Sequence, residues 1–204
     1  MQCATVVGTA LRQLVLSCVK IYTKSGDDGT TGLLFGGRVR KDAPQIELNG
    51  VVDEAQAFLG LARAECKPGS VLDALLLELE SDLWILMAEV ATKGSNRSKL
   101  VEGKTSVTRE MVAKIEQRID ETTEQFSFPK EFVVPGQNRI SSCLDVARTV
   151  IRRAERLSVE FTRENPVSQV GPYLNRLSDL VWTLARWQEE VHTTAKAAHA
   201  PKKQ

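Results

Sequence analysis

Apolar residues recur every three to four positions along most of the chain, the period of an amphipathic helix, and almost nowhere alternate with the period of two that marks a strand. The pattern predicts an all-α protein. Val51, Val52, Ala55, Phe58, Leu59 and Ala62 share one face of a first helix expected over about Ile46 to Cys66, ended by Lys67-Pro68-Gly69-Ser70. A second, about Val71 to Lys93, stacks Leu72, Leu75, Leu76, Leu79, Leu83, Leu86, Met87 and Val90, a stripe wide enough for the centre of a bundle. After a polar loop, Gly94 to Thr105, a less apolar helix over about Thr108 to Gln125 is expected on the outside. Two more, about Ile140 to Glu164 and Pro172 to Thr194, are separated by Asn165-Pro166 and Gly171-Pro172. The linker Phe126 to Asn138 holds Pro129, Pro135 and Gly136, so it is not helical throughout. It also holds Phe126, Phe128, Phe132, Val133 and Val134, and a loop that apolar packs against something.

With 204 residues and 42% hydrophobic content, the chain can close one substantial core; a second domain would leave both thin. One domain is expected over 20–194, with an N-terminal extension at 1–19 and a C-terminal tail at 195–204. Lys and Arg number 27 against 26 Asp and Glu, and a net charge of +1 supplies no global field to collect nucleic acid or an anionic membrane. Any phosphate site must be local. Cys3, Cys18, Cys66 and Cys143 lack the close spacing of a zinc or redox motif and fit a reducing compartment. His192 and His199 are the only histidines, which argues against a histidine metal site or catalytic triad. The first nineteen residues lack acids and are interrupted only by Arg12, which makes a poor secretory signal and too short a membrane span. An organellar presequence, a misassigned start codon and an arm packed on a neighbour all remain open for them.

Chemistry concentrates in three places. Thr23-Lys24-Ser25-Gly26-Asp27-Asp28-Gly29-Thr30-Thr31-Gly32 combines glycines that turn backbone N–H groups toward a polyphosphate with hydroxyl donors and a lysine. It reads as a triphosphate cradle or as a plain turn; it lacks the spacing of a P-loop or an EF-hand. Lys41, with Arg38 and Arg40 nearby, could close a second side. On the fourth helix Ile140, Leu144, Ala147, Ile151, Ala154, Ser158 and Phe161 face inward, while Asp145, Arg148, Arg152, Glu155 and Arg156 fall within roughly a 100° arc. Three guanidinium groups against two carboxylates repel unless an anion joins them or ion pairs along the helix lace them together. On the last helix Asn175 and Asp179 share a face, opposite Tyr173, Leu177, Leu180, Val181 and Leu184. Asn175 is either a ligand contact or a solvent contact.

In order and spacing, Thr23 to Gly29, Gly37-Arg38, Lys41, Val52-Asp53-Glu54, Phe132-Val133-Val134-Pro135-Gly136, Ala147-Arg148 through Arg156, and Asn175-Arg176-Leu177-Ser178-Asp179 resemble the PduO-type ATP:cob(I)alamin (corrinoid) adenosyltransferases. The likeness spans about Ile21 to Glu189. It implies an all-α, ferritin-like up-down bundle of five helices, assembled as a homotrimer with ATP between adjacent subunits. Such an enzyme transfers the 5′-deoxyadenosyl group of ATP to the cobalt of reduced cobalamin, giving adenosylcobalamin and triphosphate. Carried over, Thr23, Lys24, Ser25, Gly26 and Thr31 would wrap the triphosphate and Lys41 would reach it. Arg152, Arg153, Ala154, Glu155 and Arg156, with Asn175, would complete the site across the interface, and Glu155 would help place Mg²⁺.

Asp53 and Arg148 would pair between subunits, and Phe132 would press on the lower face of the corrin and keep the axial base off cobalt. Catalytic weight then falls on Arg152, Phe132, Lys24, Asp53 and Arg148. Cobalt is itself the nucleophile, so no Ser, Cys or His is needed for that role. Val134 and Gln137-Asn138 depart from the usual pattern in the corrinoid loop. Beyond ATP, the corrinoid and a second copy of the chain, the expected partners are a corrinoid reductase and an adenosylcobalamin-dependent enzyme, in the cytoplasm or, in a eukaryote, the mitochondrial matrix. The competing readings are a non-catalytic nucleotide or corrinoid sensor or carrier, and a helical interaction protein whose charged stripe zips subunits together.

Overall fold

Three of the helices start where side chains in the sequence can satisfy orphaned backbone N–H groups. Ser70, Thr108 and Asn138 adopt extended backbone and accept from Asp73 N (3.2 Å), Met111 N (3.2 Å) and Ser141 N (2.8 Å) respectively. Asn138 and Ser141 cap each other reciprocally, which fixes the start of the longest helix beside the apolar linker. In this computed structural model, which describes residues 21–189 and 191–199, the helices are α1 Pro44–Ala64, α2 Val71–Val90, α3 Arg109–Thr123, α4 Arg139–Glu164, α5 Val170–Trp187 and α6 Ala195–His199. The N-terminal extension, with Cys3 and Cys18, and residues 200–204 lie outside the described residues.

α4 packs along both α1 and α5, α1 along α2, and the outer α3 against α5. The predicted inward faces are the observed ones: Val52, Ala55, Leu59, Leu76, Leu83, Leu86, Leu144, Ala147, Ile151, Ala154 and Leu177 are fully buried. α3 buries only Val112, Ile115 and Thr122. The molecule is a helical bundle, and among the described residues no helix is long and apolar enough to cross a membrane.

Two features were not foreseen. A short antiparallel hairpin, β1 Thr30–Gly32 with β2 Arg38–Arg40, pairs Thr31 with Val39 and turns through Gly36 and Gly37 at φ of 94° and 96°. The last helix stops at Trp187 rather than Thr194, although no glycine or proline ends it. Instead Asn138 Nδ2 caps the Gln188 carbonyl (2.7 Å), and the chain then pairs with the apolar linker: Val134 N donates to Thr193 O and Ala195 N to Phe132 O, both 2.8 Å. The start of the expected tail, residues 195–199, is α6.

Charged groups inside the bundle are few, and the most deeply buried carboxylate among them is fully engaged. Glu89, fully buried on α2, accepts from Arg97 Nη2 (2.7 Å), Ser106 Oγ (3.1 Å), Val107 N (2.7 Å) and Ser168 Oγ (2.6 Å). It thereby ties the α2–α3 connection to the start of α5. Across the bundle, buried Tyr173 donates its hydroxyl to Asp82 Oδ2 at 2.9 Å. Burial pushes the Asp82 carboxyl above its ordinary range, the Tyr173 bond opposing, and burial likewise pushes the Tyr173 phenol well up. A raised carboxyl binds its proton more tightly folded than unfolded, so Asp82 costs stability as pH rises through that range. Asp82→Asn keeps an acceptor for Tyr173. It is expected to melt higher than wild type at pH 7, the advantage vanishing as pH falls to ~4; thermal scans at both pH values check this.

Candidate functional site

The glycine segment is a built structure rather than a slack turn. Thr30 donates its hydroxyl and backbone N–H to Asp28 Oδ1 (2.7 and 2.9 Å), which holds that exposed carboxyl below its ordinary range, the hydroxyl first. Arg38 Nε donates to Thr30 Oγ1 (2.9 Å), while its Nη2 donates to the carbonyls of Ser25 and Thr30. Arg40 is engaged by Asp42 (2.8 Å). The two arginines considered for a phosphate wall are thus spent inside the segment, and of the basic trio Arg38, Arg40 and Lys41 the lysine is the one left. A Cβ added at Gly26 would meet Lys41 Nζ at 3.2 Å and the Thr30 carbonyl at 3.1 Å, so the lysine folds closely over the turn and a side chain there would push it aside. Lys24 is exposed and has φ of 59°, uncommon for a side chain with a Cβ, and Thr23 Oγ1 and Ser25 Oγ share a hydrogen bond of 2.7 Å. Thr31 is half-buried in the hairpin. Leu34 N donates to Ala91 O (3.0 Å), which fixes the hairpin to the end of α2.

On α4 the charged stripe sorts into different roles. Arg152 is exposed, and no ion pair to its guanidinium is formed among the described residues. Arg156 is exposed and donates Nη1 to the Arg152 carbonyl (2.9 Å); Arg153 pairs with Glu54 of α1. Glu155 Oε1 accepts from Asn175 Nδ2 (2.7 Å), and Arg176 donates to Asn175 Oδ1 and, through Nε, to Glu116 of α3 (2.9 Å). The structure therefore brings Arg152, Glu155, Arg156 and Asn175 together. Ala154, carried into the site by the resemblance, and Asp145, placed on the charged face, stand apart from this group. Ala154 is fully buried against the core, so its side chain reaches no ligand. Asp145, expected on the solvent face, is buried between α4 and α5, because Arg186 supplies a cation there at 2.6 Å.

A cleft of about 850 Å³ opens under the apolar linker, walled by Phe128, Phe132 and Trp182, with Arg148 and Asp145 at its base. Phe128 leans on Trp182 at 5.2 Å between ring centroids, whereas Phe132 is 88% exposed at the cleft. The linker is thus anchored by one aromatic and presents another. Arg148 Nε donates to Asp145 Oδ1 at 3.2 Å in its own chain, and Asp53 is exposed on α1. Within one chain no hydrogen bond or ion pair among the described residues joins Asp53 to Arg148, or the glycine segment to the α4 arginines.

A sequence model described as cobalamin adenosyltransferase matches residues 21–188, from the start of the glycine segment to the end of α5. The chain belongs to the cobalamin adenosyltransferase family. It is 38% identical over 172 residues to the corrinoid adenosyltransferase of Bacillus subtilis, covering 82% of this chain and 86% of that one. A corrinoid adenosyltransferase of Citrobacter freundii is 37% identical, with 83% and 95% covered. A variant of the PduO-type ATP:corrinoid adenosyltransferase from Lactobacillus reuteri, solved with cobalamin and ATP, superposes with a TM-score of 0.73 at 32% identity, covering 82% of this chain and 92% of that one.

Two groups beside the glycine bend and the cleft escaped sequence reasoning. Lys93, exposed just past α2, lies alongside Gly37 of the hairpin turn and adds a third lysine to the bend. Its neighbourhood depends on the hairpin docking, for which the sequence has no signal. Arg186 and Glu189 sit beneath the cleft on what reads as an ordinary polar end of the last helix; only a buried partner on α4 gives them away.

Proposed function

We propose that the family's reaction, ATP-dependent adenosylation of a corrinoid, is carried out here at a site shared between protomers of a homotrimer. The glycine bend of one copy faces the α4 arginines of the next. The observation that carries this reading is a pair of exposed cationic surfaces that no carboxylate among the described residues neutralises. The bend keeps Lys24 and Lys41 at its surface and α4 exposes Arg152 and Arg156, and none of the four forms an ion pair among the described residues. Each half is repulsive alone, and a triphosphate between them relieves both.

In this arrangement Thr23, Ser25 and Thr31 donate to phosphate oxygens, Lys24 and Lys41 neutralise them, and Arg152 stabilises charge on the departing triphosphate. Asn175 orients Glu155. Magnesium commonly takes one or two protein carboxylates together with substrate phosphates. Glu155, with one oxygen already held by Asn175, suits that single-carboxylate role, and the ion neutralises leaving-group charge when bound. The corrinoid enters the Phe132 cleft, where Phe132 excludes a lower axial ligand and Arg148 meets Asp53 of the adjoining protomer. Reduced cobalt attacks C5′; the Co–C bond forms as the C5′–O bond breaks, and triphosphate leaves with the electron pair. Residues 20–194 act as one catalytic domain. The bacterial relatives support action in the cytoplasm; the need for reduced cobalt and for an outlet for the product calls for a corrinoid reductase and an enzyme that uses adenosylcobalamin.

The test is direct: purified protein, Mg·ATP and chemically reduced cobalamin should form adenosylcobalamin, followed by the corrinoid spectrum. Binding of both ligands without product would mean a carrier or sensor. Phe132→Ala should leave the melting temperature unchanged, since the ring is exposed. It should lower turnover at subsaturating corrinoid by roughly ten- to a hundredfold, the equivalent of about 1.5–3 kcal/mol for one buried phenylalanine.

A further inference from the structure

A run of charged side chains is sealed beneath the Phe132 cleft, and the division of labour above gives most of them no task. Arg186, on the last turn of α5, is 1% exposed, the bulkiest of the fully buried side chains among the described residues. Its Nη2 donates to Asp145 Oδ2 on α4 (2.6 Å) and to Glu189 Oε1 (3.0 Å). The second oxygen of Glu189 meets His192 Nδ1 at 2.9 Å, and the second oxygen of Asp145 accepts from Arg148 Nε at 3.2 Å. The run Arg148, Asp145, Arg186, Glu189 and His192 passes without a break from the cleft base to the C-terminal segment that pairs with the Phe132 linker.

Such an arrangement is a poor way to gain stability. Removing a guanidinium and two carboxylates from water is costly, apolar side chains of the same volume usually do as well, and Arg186 Nε is left without a partner. What the network does supply is a fixed geometry. Arginine carries five N–H donors in a planar fork, so fixing the Nε edge of Arg148 on Asp145 sets the plane of its guanidinium. Its two Nη groups have no protein partner among the described residues and remain for the cleft or a neighbouring chain. Asp145 is held in turn by Arg186, and Arg186 by Glu189, while the Arg186 guanidinium lies 5.8 Å over the Trp182 ring that supports the linker.

We propose that Asp145 and Arg186 are positioning residues for the corrinoid half of the site: Arg186 holds Asp145, and Asp145 holds Arg148 by Nε so that both its Nη groups face outward for the intersubunit and corrinoid contacts. This rests on the reading of the cleft as the corrinoid site. It predicts a split between substrates, because the triphosphate groups on α4 lie outside this network.

Asp145→Asn is nearly isosteric and keeps one oxygen for Arg186 while losing the carboxylate that holds Arg148. Its corrinoid KM should rise roughly tenfold while its ATP KM stays within about twofold of wild type. Arg186→Lys keeps the charge without the fork, should shift the same constant in the same direction, and decides the matter if Asp145→Asn fails to fold. An unchanged corrinoid KM in either folded variant, or equal rises in both constants, overturns the inference while wild-type turnover leaves the reaction standing. Wild-type protein that forms no adenosylcobalamin would overturn both together.

Discussion

Arg152→Ala is expected to lower turnover by about 100- to 1,000-fold, the usual loss when a donor to developing transition-state charge is removed. Stability should scarcely change. The side chain is exposed and its guanidinium forms no ion pair among the described residues; only its backbone carbonyl is used, by Arg156, and alanine keeps that carbonyl. Exposed substitutions of this kind stay within about 0.5 kcal/mol. Arg153 makes the useful contrast, because its guanidinium is taken by Glu54 on α1 of the same chain; that exposed pair is worth at most about 1 kcal/mol, and its loss should leave turnover far closer to wild type. Kinetic assays and thermal melts on both variants check the pair. Full activity in Arg152→Ala would count against a phosphate role for the α4 stripe.

The largest effect on stability is expected at Glu89. Four donors from the α2–α3 connection and the start of α5 converge on its carboxylate, including the Arg97 guanidinium and a buried backbone N–H. Glu89→Ala leaves all four without their acceptor inside the protein. Breaking a buried pair this way costs about 3–5 kcal/mol, and in a chain of this size the melting temperature should fall by roughly 10 °C or more. The hairpin is docked on the end of the same helix through Leu34 and Ala91, so ATP affinity should weaken as well. Glu89→Gln, with one acceptor oxygen retained, should fall between wild type and alanine in thermal scans.

These contrasts show why parts of the molecule were legible in its sequence and others were not. Helix faces could be read because burial is periodic: Leu76, Leu83, Ala147, Ile151 and Leu177 sit inside because the helical period brings them there. The glycine bend and Lys41 stood out because few roles call for so many small and hydroxyl-bearing residues together. The end of α5 was not legible, because Gln188 is capped by a side chain fifty residues away and Thr193 is drawn off into pairing with Val134. Nor was Asp145, whose helical angle places it with the exposed charges until Arg186 arrives from another helix. A charge on a helix face gains meaning only from its partner. Periodicity carries no information about partners, so the buried ionic groups were the elements that needed the fold.

The central claim is that the phosphate site is divided between chains, and subunit mixing tests it most directly. Arg152→Ala and Lys24→Ala proteins, each nearly inactive alone, would be unfolded, combined and refolded together. If glycine bend and α4 stripe meet across the interface, random mixing leaves roughly a quarter of the interfaces with both halves intact, and a matching fraction of wild-type turnover should return. Mixed protein as inactive as its two parents, in oligomers shown to contain both, would contradict a shared site.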